Sequence, residues 1–241
     1  MQIRNIKMDR KFNIKGGTVF DGFPSGGLVN AIASEFLIRT AGMELVGVVD
    51  SPEFPALSII TNGKPQFPAR LYVNEDLKLG IFISELDIFP AMQKEVANAI
   101  LEWTVEHQCR LIISAAGIMA NGVNTNHTKE LVTVVGTKSA EKLIHGHGFL
   151  LLKDGSVTGI PASLLNEGAS RGLDVIVLFV NTTTEADFEA AALVSKSISR
   201  LVPGVHCDIS SLMGEAGGVE NKIKEIRNYH RMNSSVSWVM K

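Results

Sequence analysis

Residues Val175–Val180 read Val-Ile-Val-Leu-Phe-Val, six apolar side chains in a row. Successive side chains of a strand point to opposite faces. A strand apolar on both sides therefore needs a cover on each face of its sheet, which is the situation of parallel strands in α/β proteins. Leu45-Val46-Gly47-Val48-Val49 and Leu111-Ile112-Ile113 have the same character. Segments of helical periodicity lie between these runs. The alternation predicts one continuous α/β domain over residues 1–241, a three-layer α/β/α sandwich with a mostly parallel sheet and attached antiparallel hairpins.

The first unit starts with a short strand at Thr18-Val19-Phe20. The turn Asp21-Gly22-Phe23-Pro24-Ser25-Gly26-Gly27 leads into a helix with Leu28, Ile32 and Phe36 on one stripe. Gly42 suits the left-handed residue that ends a helix. With Leu45–Val49 next, these segments predict a βαβ unit. Asn62-Gly63 and Asp154-Gly155 are tight-turn dipeptides and predict two hairpins, the second pairing Phe149–Lys153 with Val157–Ile160. Arg70–Val73, Leu77–Ser84 and Leu131–Val135 read as further strands. Helices are predicted near 91–108, with Met92, Val96, Ile100 and Trp103 on one stripe, and over Ala140–His145. Pro161 can open another, with Gly172 near its end. Thr184-x-x-Asp187 resembles a capping box before a helix that Pro203 stops. From about residue 208 the chain carries an amphipathic helix, near Val219–Met232, and an apolar tail.

Composition narrows the function classes. The formal charge is −2 with 20% charged residues, so no basic field recruits nucleic acid or an anionic membrane. The stretch between Arg110 and Lys129 lacks charge, but only Leu111–Ala120 is apolar, and spanning a bilayer takes about 20 apolar residues. The N-terminus is charged and lacks the apolar core of a signal peptide. Two cysteines, Cys109 and Cys207, stand far apart without CxxC spacing. A cytoplasmic protein with reduced thiols is the expectation.

In an open α/β sheet, ligands bind beyond the carboxyl ends of the strands. The small and polar residues there are Gly22, Ser25, Gly26, Gly27, Asp50, Glu85, Ser114 and Asn121, a candidate anion or ligand cleft. The Gly22–Gly27 turn precedes a helix start, where free amides attract anions. It has neither GxGxxG nor GxxxxGK[ST], and a tight strand-to-helix corner is the better reading. Asp50, Glu85 and Asp87 lack a paired motif for acid–base or cation chemistry. Ser114-Ala115-Ala116-Gly117 is not a nucleophile elbow. His145-x-His147 has no third ligand, and zinc wants three or four. No metal or cofactor is expected, and a binding protein is favoured over an enzyme. The tail residues Trp238, Val239 and Met240 are a candidate docking element, for the chain's own body or for a partner.

The series Gly22–Gly27, Asp50-Ser51-Pro52-Glu53-Phe54-Pro55, Gly63-Lys64-Pro65-x-x-Pro68-x-Arg70-Leu71-Tyr72 and Ser114-Ala115-Ala116-Gly117-Ile118-Met119-Ala120-Asn121-Gly122 resembles the proteasome assembly chaperones of archaea and bacteria. These are relatives of the second subunit of the eukaryotic pair that assembles proteasome α-rings. The resemblance runs from about Thr18 to Val202. It implies a fold similar to the nucleoside phosphorylase and peptidyl hydrolase sandwiches, a cyclic homo-oligomer, and binding to proteasome α-subunits or a related chaperone without catalysis. The alternative is an enzyme of the phosphorylase, hydrolase or ATP-dependent ligase type using the strand-end cleft. Some archaeal members end in hydrophobic-Tyr-any residue, whereas Val239-Met240-Lys241 lacks the tyrosine.

Overall fold

The computed structural model describes residues 5–119, 132–184 and 186–207. The predicted C-terminal helix and tail, and Asn121, lie outside them.

The strands are β1 (Asn5–Met8), β2 (Thr18–Gly22), β3 (Glu44–Asp50), β4 (Ile59–Thr61), β5 (Lys64–Gln66), β6 (Ala69–Asn74), β7 (Leu79–Ser84), β8 (Leu111–Met119), β9 (Thr133–Gly136), β10 (Leu150–Leu151) and β11 (Asp174–Thr182). The helices are α1 (Val29–Thr40), α2 (Gln93–Glu106), α3 (Glu141–Gly146), α4 (Gly159–Ser170) and α5 (Phe188–Leu201). Nine strands form one sheet in the order β1-β3-β6-β7-β2-β8-β11-β9-β10, and β4 pairs with β5 apart from it.

The four central strands, β7-β2-β8-β11, are parallel. β8 and β11 hold two of the three apolar runs that require cover on both faces, and the central strands have that cover. Neighbouring residues go to opposite cores: Phe20, Ile113 and Ile176 pack with Val29 and Ala33 of α1 and Val194 and Ile198 of α5. Val19, Ile112 and Val175 pack with Val96 and Ile100 of α2 and Ile160 and Leu164 of α4. The helices thus form the two outer layers of an α/β/α sandwich.

The flanks of the sheet are mixed. β1, β3 and β6 run antiparallel to their neighbours, as β9 does to β11, while β10 is parallel to β9. β3 does run in the direction of β2, as a βαβ crossover requires, but β6 and β7 stand between them. It follows that β3 is not a doubly covered parallel strand. Glu44 and Leu45 at its start are exposed, and the pairing shifts register between Leu45 and Gly47.

Turn chemistry is realised at Asn62-Gly63, where both residues have positive φ (51° and 73°) and join β4 to β5. It is not realised at Asp154-Gly155. β10 is only two residues long, and Gly159 begins α4, so no second hairpin forms. Pro161 explains the outcome: within the first turn of a helix its missing N–H is not needed, whereas in a strand it removes a ladder bond. The cap of α5 is also displaced from its predicted position. Asp187 itself is the N-cap: its Oδ1 accepts from the Ala190 amide at 3.0 Å, and its Oδ2 from the Thr183 amide at 2.9 Å.

Candidate functional site

The carboxyl ends of β7, β2 and β8 meet beneath the glycine-rich turn. α1 leaves β2 on one face of the sheet, and α2 follows β7 on the other. This divergence of connections is the place where open α/β sheets offer a crevice.

The turn is tightly applied to the sheet. A Cβ on Gly26 would lie 2.4 Å from the carbonyl oxygen of Gly117, and one on Gly117 would lie 2.2 Å from that of Gly26. The two backbones touch, so these glycines serve close approach. A Cβ on Gly22 would meet Ser34 Oγ of α1 at 2.0 Å and the Phe82 carbonyl at 2.2 Å. Leu28, with φ 53°, turns the chain into α1 after a 3-10 turn over Gly26–Leu28.

Under the turn, Ser114 Oγ on β8 donates to Asp21 Oδ2 on β2 at 2.7 Å, and the Phe23 amide donates to Asp21 Oδ1 at 3.1 Å. Asp21 and Ser114 are both fully buried. Burial pushes the Asp21 carboxyl up to about 6, against the lowering effect of its two hydrogen bonds. Asp21 was hidden in the sequence because it directly follows the strand Thr18–Phe20 and reads as the first turn residue. Its readable signal is a carboxylate continuing a fully covered strand.

Glu85 is placed just past β7, where Arg70 Nη2 donates to its Oε1 at 2.5 Å. Arg70 also donates to Gln66 Oε1 and to the Phe67 carbonyl. Only 3% of Arg70 is exposed, so this is a buried ion pair binding β6 to the end of β7. Arg70 was missed as a partner because the two residues meet only through the β6–β7 register. Asp50 lies farther out, at the end of β3. It accepts from the Ser51 amide at 3.0 Å and lies 3.6 Å from Lys7 Nζ. The structure therefore brings Ser114 onto Asp21, sets Gly26 against Gly117, and leaves Asp50 apart at the end of β3.

The remaining candidates are dispersed. His145 is exposed on α3, and His147 follows the end of that helix. No group of three or more His, Cys, Asp or Glu among the described residues is placed to hold a metal ion. Cys109 is buried ahead of β8, where burial pushes its thiol up to about 12. Cys207 is half-buried against the Leu28–Phe188 cluster, and neither cysteine is in a disulfide. Among the described residues no helix is long and apolar enough to cross a membrane.

The profile of the PAC2 family matches residues 19–227. The chain belongs to the PAC2 family. Similar solved structures include Pyrococcus furiosus PbaA, an archaeal homolog of proteasome-assembly chaperone, with 29% identity over 96% of this chain and 99% of that one and a TM-score of 0.80. Two others share the fold at 20% identity. A Thermoplasma acidophilum protein of unknown function has a TM-score of 0.81, over 94% of this chain and 91% of that one. Pyrococcus furiosus PbaB, an archaeal proteasome activator, has 0.76 over 94% and 100%. An uncharacterized protein of Methanocaldococcus jannaschii is 27% identical over 91% of this chain and 89% of its own length.

Proposed function

We propose that this PAC2 protein is a non-enzymatic assembly chaperone that works in the cytoplasm as a homo-oligomer and binds proteasome α-subunits or a related chaperone. The observation that carries the reading is the end-to-end similarity to PbaA, 29% identical over 96% of the chain with a TM-score of 0.80. The strand-end residues are consistent with it: Asp21 and Ser114 are sealed from solvent, and Glu85 is engaged by Arg70. A general base must reach its substrate, and these groups face protein. The chaperone acts by covering subunit surfaces until the ring closes, then leaving. Trp238, Val239 and Met240 are its proposed contact tail.

The test is native mass spectrometry of the purified chain mixed with α-subunits, followed by the kinetics of α-ring formation. A heteromeric complex and a changed rate of ring assembly are expected. Absence of any complex, together with unchanged ring assembly, overturns the reading.

A further inference from the structure

The antiparallel flank formed by β3 and β6 is covered unequally. Val46, Val49, Leu71 and Val73 point to the α2 side and are buried there. Side chains alternate between the faces of a sheet, so Val48 and Tyr72 point to the α1 side. Leu45, opposite Tyr72 in register, joins them. On that side Leu45 is 42% exposed, and Val48 and Tyr72 are half-buried. A sandwich of this class sets helices against both faces of its sheet. Here α1 packs mainly on β2, β7 and β8, so among the described residues the strip Leu45–Val48–Tyr72 has no such layer over it.

The course of the chain after α5 points to a cover. A Cβ on Gly204 would lie 2.9 Å from Leu77 Cδ2, which sets this stretch against the β6–β7 turn. Asn74 Nδ2, at the end of β6, donates to the Ala41 carbonyl at 2.8 Å and ties that turn to the end of α1. Cys207 then packs with Leu28, Ile32 and Phe36 of α1. The described chain therefore leaves the body on the α1 side of the sheet. Val219 follows twelve residues later, a reach of up to about 40 Å. β3 stands only three strand spacings from β2, about 14 Å. The amphipathic helix predicted over Val219–Met232 carries Val219, Ile223, Ile226 and His230 on one stripe. It would be as long as α2, about 21 Å. β3 spans about 23 Å, so one such helix covers the strip end to end.

We propose that the segment Val219–Met232 lays its apolar stripe on Leu45, Val48 and Tyr72 of its own chain and completes the α1-side layer over the flank. Two arguments choose this occupant over a second copy or another protein. A short tether gives the segment an effective concentration on the order of millimolar at its own flank. Three side chains also fall far below the roughly 20 residues a side that a stable interface between separate proteins uses. The contact leaves Trp238, Val239 and Met240 beyond the docked helix. It stands independently of the chaperone reading, because it concerns the isolated chain.

The experiment uses the full chain in a Cys207→Ser background. A nitroxide is attached at Lys222→Cys, which borders the apolar stripe without belonging to it, and methyl signals are compared before and after its reduction. The expected result is loss of the Leu45 and Val48 signals while the nitroxide is active. Ile160 and Leu164, on the far face of the sheet, should keep theirs. Leu45→Asp, a change at an exposed position, should restore the Val48 signal by releasing the segment. Crosslinking Leu45→Cys to Lys222→Cys with a flexible bismaleimide, read on a denaturing gel, should give an intrachain product. Undiminished Leu45 and Val48 signals, greater loss at Ile160 and Leu164, or the absence of an intrachain crosslink overturns the proposal. An interchain product in its place assigns the strip to a second copy. The nitroxide reading leaves the flank unaltered, so it decides the matter even where Leu45→Asp fails to fold.

Discussion

At the scale of single residues, two glycines and one ion pair define how tightly the carboxyl end of the sheet is closed. Gly117→Ala places a methyl group 2.2 Å from the Gly26 carbonyl and 2.5 Å from Thr182 Cγ2. The first obstacle is backbone and cannot rotate away, so a loss of about 1–3 kcal/mol is expected from urea denaturation. Gly146→Ala is the control. Nothing lies within 4 Å of its added carbon and its φ is not positive, so stability should stay level or rise by up to about 1 kcal/mol. The Arg70–Glu85 pair makes a different prediction. With Arg70 3% exposed, Arg70→Met takes the guanidinium from a buried ion pair and should cost about 3–5 kcal/mol. The double variant Arg70→Met with Glu85→Leu should cost clearly less, because the desolvated charges leave together. A double variant worse than the sum of the singles would show that the pair is not coupled as described.

At the scale of elements, the start of α5 separates what a pattern shows from what a contact decides. Thr184-x-x-Asp187 has capping-box spacing, yet the helix begins at Phe188 and Asp187 holds the Ala190 and Thr183 amides. Asp187→Ala should therefore lower stability by about 1 kcal/mol, within the range for a lost N-cap. Thr184→Ala, on an exposed residue, should stay within about 0.5 kcal/mol. Denaturant titration of the two variants distinguishes the cap positions. Local signals were legible wherever a residue's own chemistry decides: Gly42 ends α1 at φ 57°, Asn62-Gly63 turns the hairpin, and Thr18-Val19-Phe20 and Leu111-Ile112-Ile113 mark β2 and the start of β8. They failed where tertiary pairing decides. Leu45–Val49 is apolar enough for the sheet centre, but its place depends on β6 and β7 entering between it and β2. Asp154-Gly155 has hairpin chemistry, but no second strand forms to pair with β10. Of the candidate site, Gly22 was readable as the end of β2, whereas Ser114, expected at a strand end, lies inside β8, which runs on to Met119 beside β11. Asp21, the partner of Ser114, and Arg70, the partner of Glu85, were not readable, since only register brings each pair into contact.

At the scale of the whole molecule, the two cores lie on opposite faces of the same strands. Phe20, Ile113 and Ile176 feed one core, and their chain neighbours Val19, Ile112 and Val175 feed the other. Neither face can open without stripping β2, β8 and β11 of half their cover. We therefore expect the sandwich formed by the described residues to unfold as one cooperative unit. Two independent probes serve this prediction. Trp103 is 2% exposed and packs edge-on against Phe82, at 5.3 Å between ring centroids, so its fluorescence reports the α2 side. The chain has two tryptophans, and a Trp238→Phe background leaves Trp103 as the sole indole. Cys109 is 5% exposed, with a thiol pushed up to about 12, so it should resist thiol reagents at neutral pH until the chain opens. In a Cys207→Ser background, the urea midpoints from Trp103 fluorescence, far-UV circular dichroism and Cys109 labelling should coincide. Fast labelling of Cys109 before the fluorescence changes would mean that the segment leading into β8 opens by itself. The sandwich would then be two cooperative layers rather than one.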